Sequence, residues 1–254
     1  AHHRPDYYAS VKLVSNRTVG TESGNEEGLY NHYLLFGTCL VMRRGDEYQN
    51  IYPLWDWTRI PGATIEALPA DPPEHTWGKN AAGTTDFVGG VSDGQVGLAS
   101  MQLDRDGLTA RKTFALFDSA IVALGADVRG TGQHPLRTSI NQCFLKTDVT
   151  YSQNSQTHPL APDQQRPGPI STVTHDHIAY GLLEPADVVL SNKPQTGAWK
   201  SINRHGSAQP LTAPIFSLYI EHPRNKPSSY AYAILPGAQP DAARHNQILA
   251  NTPD

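Results

Sequence analysis

Short runs in which apolar and polar residues alternate recur along the whole chain, and none sustains the three-to-four spacing of a long helix. The alternation predicts strands at Tyr8 to Val14, His32 to Phe36, Thr38 to Met42, Leu108 to Phe117 and Ser119 to Leu124. A second set follows at Thr138 to Leu145, His177 to Leu182, Asp187 to Leu190, Ile215 to His222 and Ser229 to Leu235. Gly, Asn and Asp separate these runs, and 21 glycines and 20 prolines punctuate the chain too often for long helices. Many short strands imply an all-β fold, a large antiparallel β-sandwich of several sheets. Residues 152–170 are polar and proline-rich, which predicts a mobile surface loop.

At 254 residues the chain can bury a sizeable core, and one large domain is the default at this length for an all-β protein. The formal charge is −4, from 20 Lys and Arg against 24 Asp and Glu. That excludes the overall basic field with which proteins hold nucleic acid. No apolar run approaches the roughly eighteen residues of a membrane span, and no basic start leads into a hydrophobic stretch, so neither a membrane partner nor a leader peptide is read here. The two cysteines, Cys39 and Cys143, each lie in an apolar strand-like run and are expected as buried thiols.

Chemistry concentrates early. Glu22 and Asn25 flank Ser23-Gly24, a turn dipeptide that would let both side chains face one cleft, although an ordinary polar surface turn has the same pattern. About thirty residues on, Tyr52-Pro53-Leu54-Trp55-Asp56-Trp57-Thr58-Arg59-Ile60-Pro61-Gly62 forms a tryptophan-rich loop closed by proline. Arg17, Arg43, Arg44, Arg59 and Lys79 fall in the same stretch and offer local positive charge to a polyanion, or are solvated surface side chains. In His175-Asp176-His177, strand geometry would put both histidines on one face, which is half of a zinc site; a structural hydrogen-bond network is the competing reading. Tyr30, His32 and Tyr33 are the other local candidates for a base.

The ordered series of motifs resembles polysaccharide lyase family 8, the chondroitin AC, hyaluronan and xanthan lyases, in its central β-domain. It runs from Ser15-Asn16-Arg17-Thr18 through Glu22-Ser23-Gly24-Asn25, the Trp55-Asp56-Trp57 loop, Asp86 to Gly94 and Asn141-Gln142-Cys143. It continues through His175-Asp176 before Tyr180-Gly181, Gly197-Ala198-Trp199 before Ile202-Asn203, and Tyr230-Ala231-Tyr232 before Leu235-Pro236-Gly237. The resemblance implies a supersandwich of galactose-mutarotase-like type over residues 1–237, with residues 238–254 as an exit segment or linker. It implies β-elimination on glycans that contain uronic acid, of chondroitin or hyaluronan type, in a secreted or periplasmic bacterial enzyme. In that family the principal Tyr, His, Asn and Arg sit on a helical toroid that precedes the β-domain, and nothing in this chain is long and helical enough to be it. The partners implied are therefore an acidic polysaccharide and that helical toroid domain, and the isolated chain is expected to be inactive.

By the same resemblance Glu22 and Asn25 are the catalytic-site residues contributed here, while Trp77, Arg17 and Arg59 are substrate-binding. Asp56 corresponds to a ligand of a structural calcium, but the loop's second acidic position is Thr58. No cofactor is otherwise required. A non-catalytic carbohydrate-binding or interaction module of the same fold, and a self-sufficient lyase using Tyr30, His32 or His175, are the other readings the sequence leaves open.

Overall fold

The computed structural model describes residues 1–69, 71–74, 82–224 and 226–237. Strands β1 (His2–Arg4), β2 (Tyr7–Val11) and β3 (Cys39–Met42) form a small antiparallel sheet. After β4 (Thr64–Glu66) comes a run of hairpins, β5 (Val88–Ser92), β6 (Gly97–Arg105), β7 (Leu108–Leu116) and β8 (Ile121–Gly130). The chain continues through β9 (Leu136–Phe144), β10 (Thr150–Gln153), β11 (Gln156–Pro159), β12 (Gln165–Gly168) and β13 (Thr172–His175). Then come β14 (Ile178–Leu182), β15 (Asp187–Ser191) and β16 (Pro194–Gly197). A single helical turn, α1 (Trp199–Ile202), precedes the long pair β17 (Leu211–His222) and β18 (Ser228–Pro236).

These strands make a nine-stranded sheet in the order β11-β10-β13-β14-β18-β8-β7-β6-β5 and a six-stranded sheet containing β12-β15-β17-β9-β4, with β16 paired to β17. All the strand pairs are antiparallel, and residues of both large sheets share one hydrophobic core. β7 shows why the pattern works: Leu108, Ala110, Phe114 and Leu116 are buried while Thr109, Arg111, Thr113 and Ala115 are more exposed, the period of two that a half-buried strand requires.

Lys112 breaks that pattern at a buried position and is 0% exposed. Its Nζ donates to Phe36 O at 2.9 Å, Gly62 O at 2.6 Å and Thr64 Oγ1 at 3.0 Å, so all three ammonium protons are spent. The line continues from Thr64 to Thr138, whose hydroxyls are 2.8 Å apart, and from Thr138 Oγ1 to His222 Nε2 at 2.7 Å. Burial alone would make such a group costly, and these oxygens offset it.

Three expectations are corrected. Asn31–Leu35 is a 3-10 helix rather than part of a strand from His32 to Phe36. Asn31, His32, Tyr33 and Leu35 are buried there and Leu34 is half-buried, which is not the alternation of a one-sided strand. Residues 152–170 carry β11 and β12 instead of a loop; both lie at sheet edges, where polar residues and proline are tolerated because an outer row of ladder bonds is not needed. His175 ends β13, and Asp176 and His177 form the hairpin tip with φ of 49° and 60°, so the two histidines do not share a strand face.

Candidate functional site

Glu22 lies in a segment where burial alternates. Thr21 and Ser23 are buried, which turns the Glu22 side chain outward, and it is exposed. The turn itself is Gly24-Asn25-Glu26-Glu27, closed by Glu27 N donating to Gly24 O at 2.9 Å. Its central residues are Asn25 and Glu26, at φ 51° and 61°, rather than Ser23-Gly24 as expected. Two successive left-handed residues suit Asn and make a tight, mirror-image turn. Ser23 Oγ donates to Glu27 O at 2.8 Å and locks its base.

The region after α1 fastens this turn from outside. Leu29 N donates to Ile202 O at 3.1 Å and Arg204 N to Glu26 O at 3.0 Å, while Asn203 Nδ2 reaches Glu27 Oε1 at 3.2 Å. His205 adds a 3.3 Å approach to Glu26. The Trp199 to Asn203 motif thus serves the same turn as Glu22, about 180 residues away in sequence. Among the described residues neither the Glu22 carboxylate nor the Asn25 amide has a hydrogen-bond or ion-pair partner. Both are exposed and uncommitted on a backbone that is fixed.

The tryptophan loop lies against α1, and the cleft it forms is lined by neither Glu22 nor Asn25. Trp55, Asp56, Trp57, Thr58, Tyr30, Asp71 and Arg137 are among the residues lining a cleft of ≈ 400 Å³ that also touches Ser201 and Ile202. Trp55 meets Trp57, Tyr52 and Tyr48 edge-on at 5.4, 5.3 and 6.2 Å between ring centres. Gln142 in β9 governs the loop backbone: its Oε1 accepts from Asp56 N, and its Nε2 donates to Asp56 O and Arg59 O.

Asp56 is fully engaged. Oδ1 accepts from Thr58 N at 2.9 Å and Thr58 Oγ1 at 2.6 Å, and Oδ2 accepts from Arg59 Nε at 2.6 Å. Burial works against the carboxylate, but the Arg59 charge and the Thr58 hydrogen bonds outweigh it and hold Asp56 below the usual carboxylate range. These residues do not fit a calcium ion. Both oxygens are spent, the neighbouring acidic position is Thr58, and a guanidinium already supplies the positive charge. No cluster of three or more His, Cys, Asp or Glu able to hold a metal occurs among the described residues. Arg59 also lies over the Tyr219 ring at 5.3 Å, and Arg137, ion-paired to Glu221, lies over the same ring at 5.1 Å. Arg59 is thus tied into the scaffold of the loop.

The remaining sequence-derived positions separate. Arg17 is exposed and donates from Nη1 to Asp86 O at 2.8 Å, joining the first motif to the Asp86 to Gly94 motif. Trp77 and Lys79 lie outside the described residues. Tyr30 donates to Asp71 Oδ2 at 2.6 Å, and its pKa is pushed up to about 12 by burial, that hydrogen bond and the charges of Asp71 and Glu74, so it is a phenol and a poor base at neutral pH. His32 is buried against Asp106 at 2.6 Å.

His175 stacks on Phe216 at 4.4 Å, and its Nε2 accepts from Lys146 N at 3.1 Å. Burial lowers its pKa to about 4. Asp176 instead holds Arg44 in a two-pronged ion pair at 2.8 and 2.7 Å. This cluster is a structural network. Cys39 and Cys143 are free, buried thiols, and burial pushes Cys39 up to about 12. Sequence reasoning missed Lys112, the role of Gln142, and Asn31 beneath the Glu22 turn. A polar residue at an inward strand position was the available signal for the first two.

The chain matches the family model described as "Polysaccharide lyase family 8, super-sandwich domain" over residues 1–247. It is 36% identical to the chondroitinase-AC of Pedobacter heparinus over 99% of this chain and 37% of the relative. It is 26% identical to a hyaluronate lyase of Thermasporomyces composti over 100% of this chain and 34% of that protein. Among solved structures, a chondroitinase AC lyase determined in enzyme–oligosaccharide complexes superposes with a TM-score of 0.92 at 35% identity, covering 99% of this chain and 38% of that one. The chain therefore spans little more than a third of the length of these relatives.

Proposed function

The chain belongs to polysaccharide lyase family 8, and on that premise we propose that it is the β-domain part of a lyase that cleaves uronic-acid-containing glycans by β-elimination. The substrate class is of chondroitin or hyaluronan type, following the activities named for the chondroitinase-AC and the hyaluronate lyase. The other half of the active site, in this reading, is a helical domain of the same enzyme.

The reaction removes the proton from the carbon that bears the uronate carboxylate, uses that electron pair to form a double bond to the neighbouring carbon, expels the glycosidic oxygen and protonates it. Three tasks follow: neutralising the carboxylate, taking a proton and returning one. None requires a cofactor. This chain contributes to the first. The Glu22 carboxylate pairs with an arginine brought by the helical domain and fixes its guanidinium against the substrate, while the Asn25 amide donates to the acidic sugar. Tyr30, engaged with Asp71, and the buried His32 and His175 do not supply the base in this reading.

The single observation that carries the proposal is the exposed Glu22 carboxylate, uncommitted on a turn held from two sides. Trp77 as a stacking platform and Arg17 as a contact to a polyanion remain parts of the proposal, and Arg59 enters it as the residue that shapes the loop beside the cleft. Because a polymeric glycan is met outside the cytoplasm, the enzyme is proposed to be secreted or periplasmic. Glu22→Ala in the enzyme carrying both domains tests the assignment. Turnover is expected to fall roughly a hundredfold with KM nearly unchanged, the signature of a group needed in the transition state. Unchanged turnover removes Glu22 from the site and favours a carbohydrate-binding role.

A further inference from the structure

Asn31 sits beneath the Glu22 turn. Asn31 opens the 3-10 helix Asn31–Leu35, is 6% exposed, and donates from Nδ2 to the backbone carbonyl of Glu22. The orientation of its amide is fixed by chemistry, because a carbonyl can only accept. Its backbone N also donates to Gly28 O at 3.3 Å, so Asn31 touches both ends of the turn region.

Gly28 makes room for this contact. It has φ +66°, and a Cβ there would come within 2.8 Å of Asn31 Nδ2 and 3.2 Å of Glu22 O. Among the described residues the other half of the amide, Oδ1, is buried with no hydrogen-bond partner. A residue present only to fill space would be apolar and avoid that cost. The one bond that Asn31 does make is directed at the residue whose side chain points outward.

We infer that Asn31 is a positioning residue for Glu22, an inference that rests on the proposed role of Glu22 in the reaction. With its carbonyl pulled inward by Asn31 and its neighbours Thr21 and Ser23 buried, Glu22 has one direction left for its side chain. The carboxylate is presented without any protein group holding it, which leaves both of its oxygens for a bidentate partner.

Asn31→Asp keeps size and shape but sets a carboxylate against the Glu22 carbonyl. In the 254-residue chain, amide exchange across residues 22–27 is expected to rise about tenfold while exchange in β7 and β8 stays unchanged. In the enzyme with its helical domain, kcat is expected to fall about tenfold or more with KM within about threefold of the parent, and adding Asn31→Asp to Glu22→Ala should cost nothing further. Unchanged turn exchange, or a double variant whose losses multiply, overturns the inference. If Glu22→Ala proves silent, the role proposed for Glu22 fails by itself, and the exchange measurement still decides whether Asn31 anchors the turn.

Discussion

Gln142 holds the Asp56 peptide from both directions: its Oε1 accepts from Asp56 N at 2.9 Å and its Nε2 donates to Asp56 O at 3.1 Å. A side chain in β9, an interior strand of the six-stranded sheet, therefore does for the tryptophan loop what a neighbouring strand would do, and Trp55 Nε1 adds a bond to Gln142 O at 3.1 Å.

Removing that clamp leaves buried peptide groups unpaired. Gln142→Leu is expected to lower unfolding free energy by about 2 to 4 kcal/mol and to red-shift tryptophan emission as the loop loosens. Urea unfolding followed by fluorescence measures both, and a loss below about 0.5 kcal/mol would show that water replaces the clamp without cost.

A second expectation concerns pH. His175 and His222 are neutral and buried, and burial lowers both from 6.5 to about 4. The unfolded chain thus binds more protons between those values, so stability is complete above pH 6.5 and falls as pH drops toward 4, by about 3 kcal/mol per ring. Lys112, lowered by burial from 10.5 to about 7, penalises the folded chain below pH 7; its penalty is relieved as pH rises, so stability climbs from 7 toward 10. Urea unfolding at about pH 4.5, 7 and 9.5 reads both limbs. Lys112→Met should flatten the alkaline limb and His222→Asn should roughly halve the acid one. A flat profile for the parent chain would contradict the burial of these groups.

Calcium provides a third test. Because Arg59 and Thr58 satisfy the Asp56 carboxylate, millimolar calcium is expected to leave the melting temperature of the chain within about 1 °C, whereas Thr58→Asp combined with Arg59→Ala frees oxygens and should introduce calcium-dependent stabilisation. A clear calcium-dependent rise in the parent chain would show that the ion displaces Arg59.

The sequence made some of this legible and hid the rest for physical reasons. β7 was readable from its alternation, and β8, β17 and β18 from short runs rich in β-branched and aromatic residues. β11 and β12 were not, since an edge strand has little to bury and can keep Gln, Pro and Gly. His32 to Phe36, with Tyr33 to Phe36 an unbroken run of aromatic and aliphatic residues, is too short for periodicity alone to assign to helix or strand. The turn around Ser23-Gly24 made Glu22 and Asn25 candidates, but the family resemblance was needed to give them a role, for an exposed polar turn has no chemical signature of its own. The fastening of their turn through Glu26 to Arg204, about 180 residues away, is a property of the folded state, as is the Asn31 contact.

The most direct test of the central claim uses the chain as it stands. Purified chain is incubated with chondroitin and hyaluronan, alone and with the helical domain of the same enzyme, while the ultraviolet absorbance of the unsaturated uronate product is followed. A shared active site predicts no product from the chain alone and sustained product on adding the helical domain, with that gain lost in Glu22→Ala. Product from the chain alone, abolished by changing Tyr30, His32 or His175, would contradict it and place a complete site within this domain.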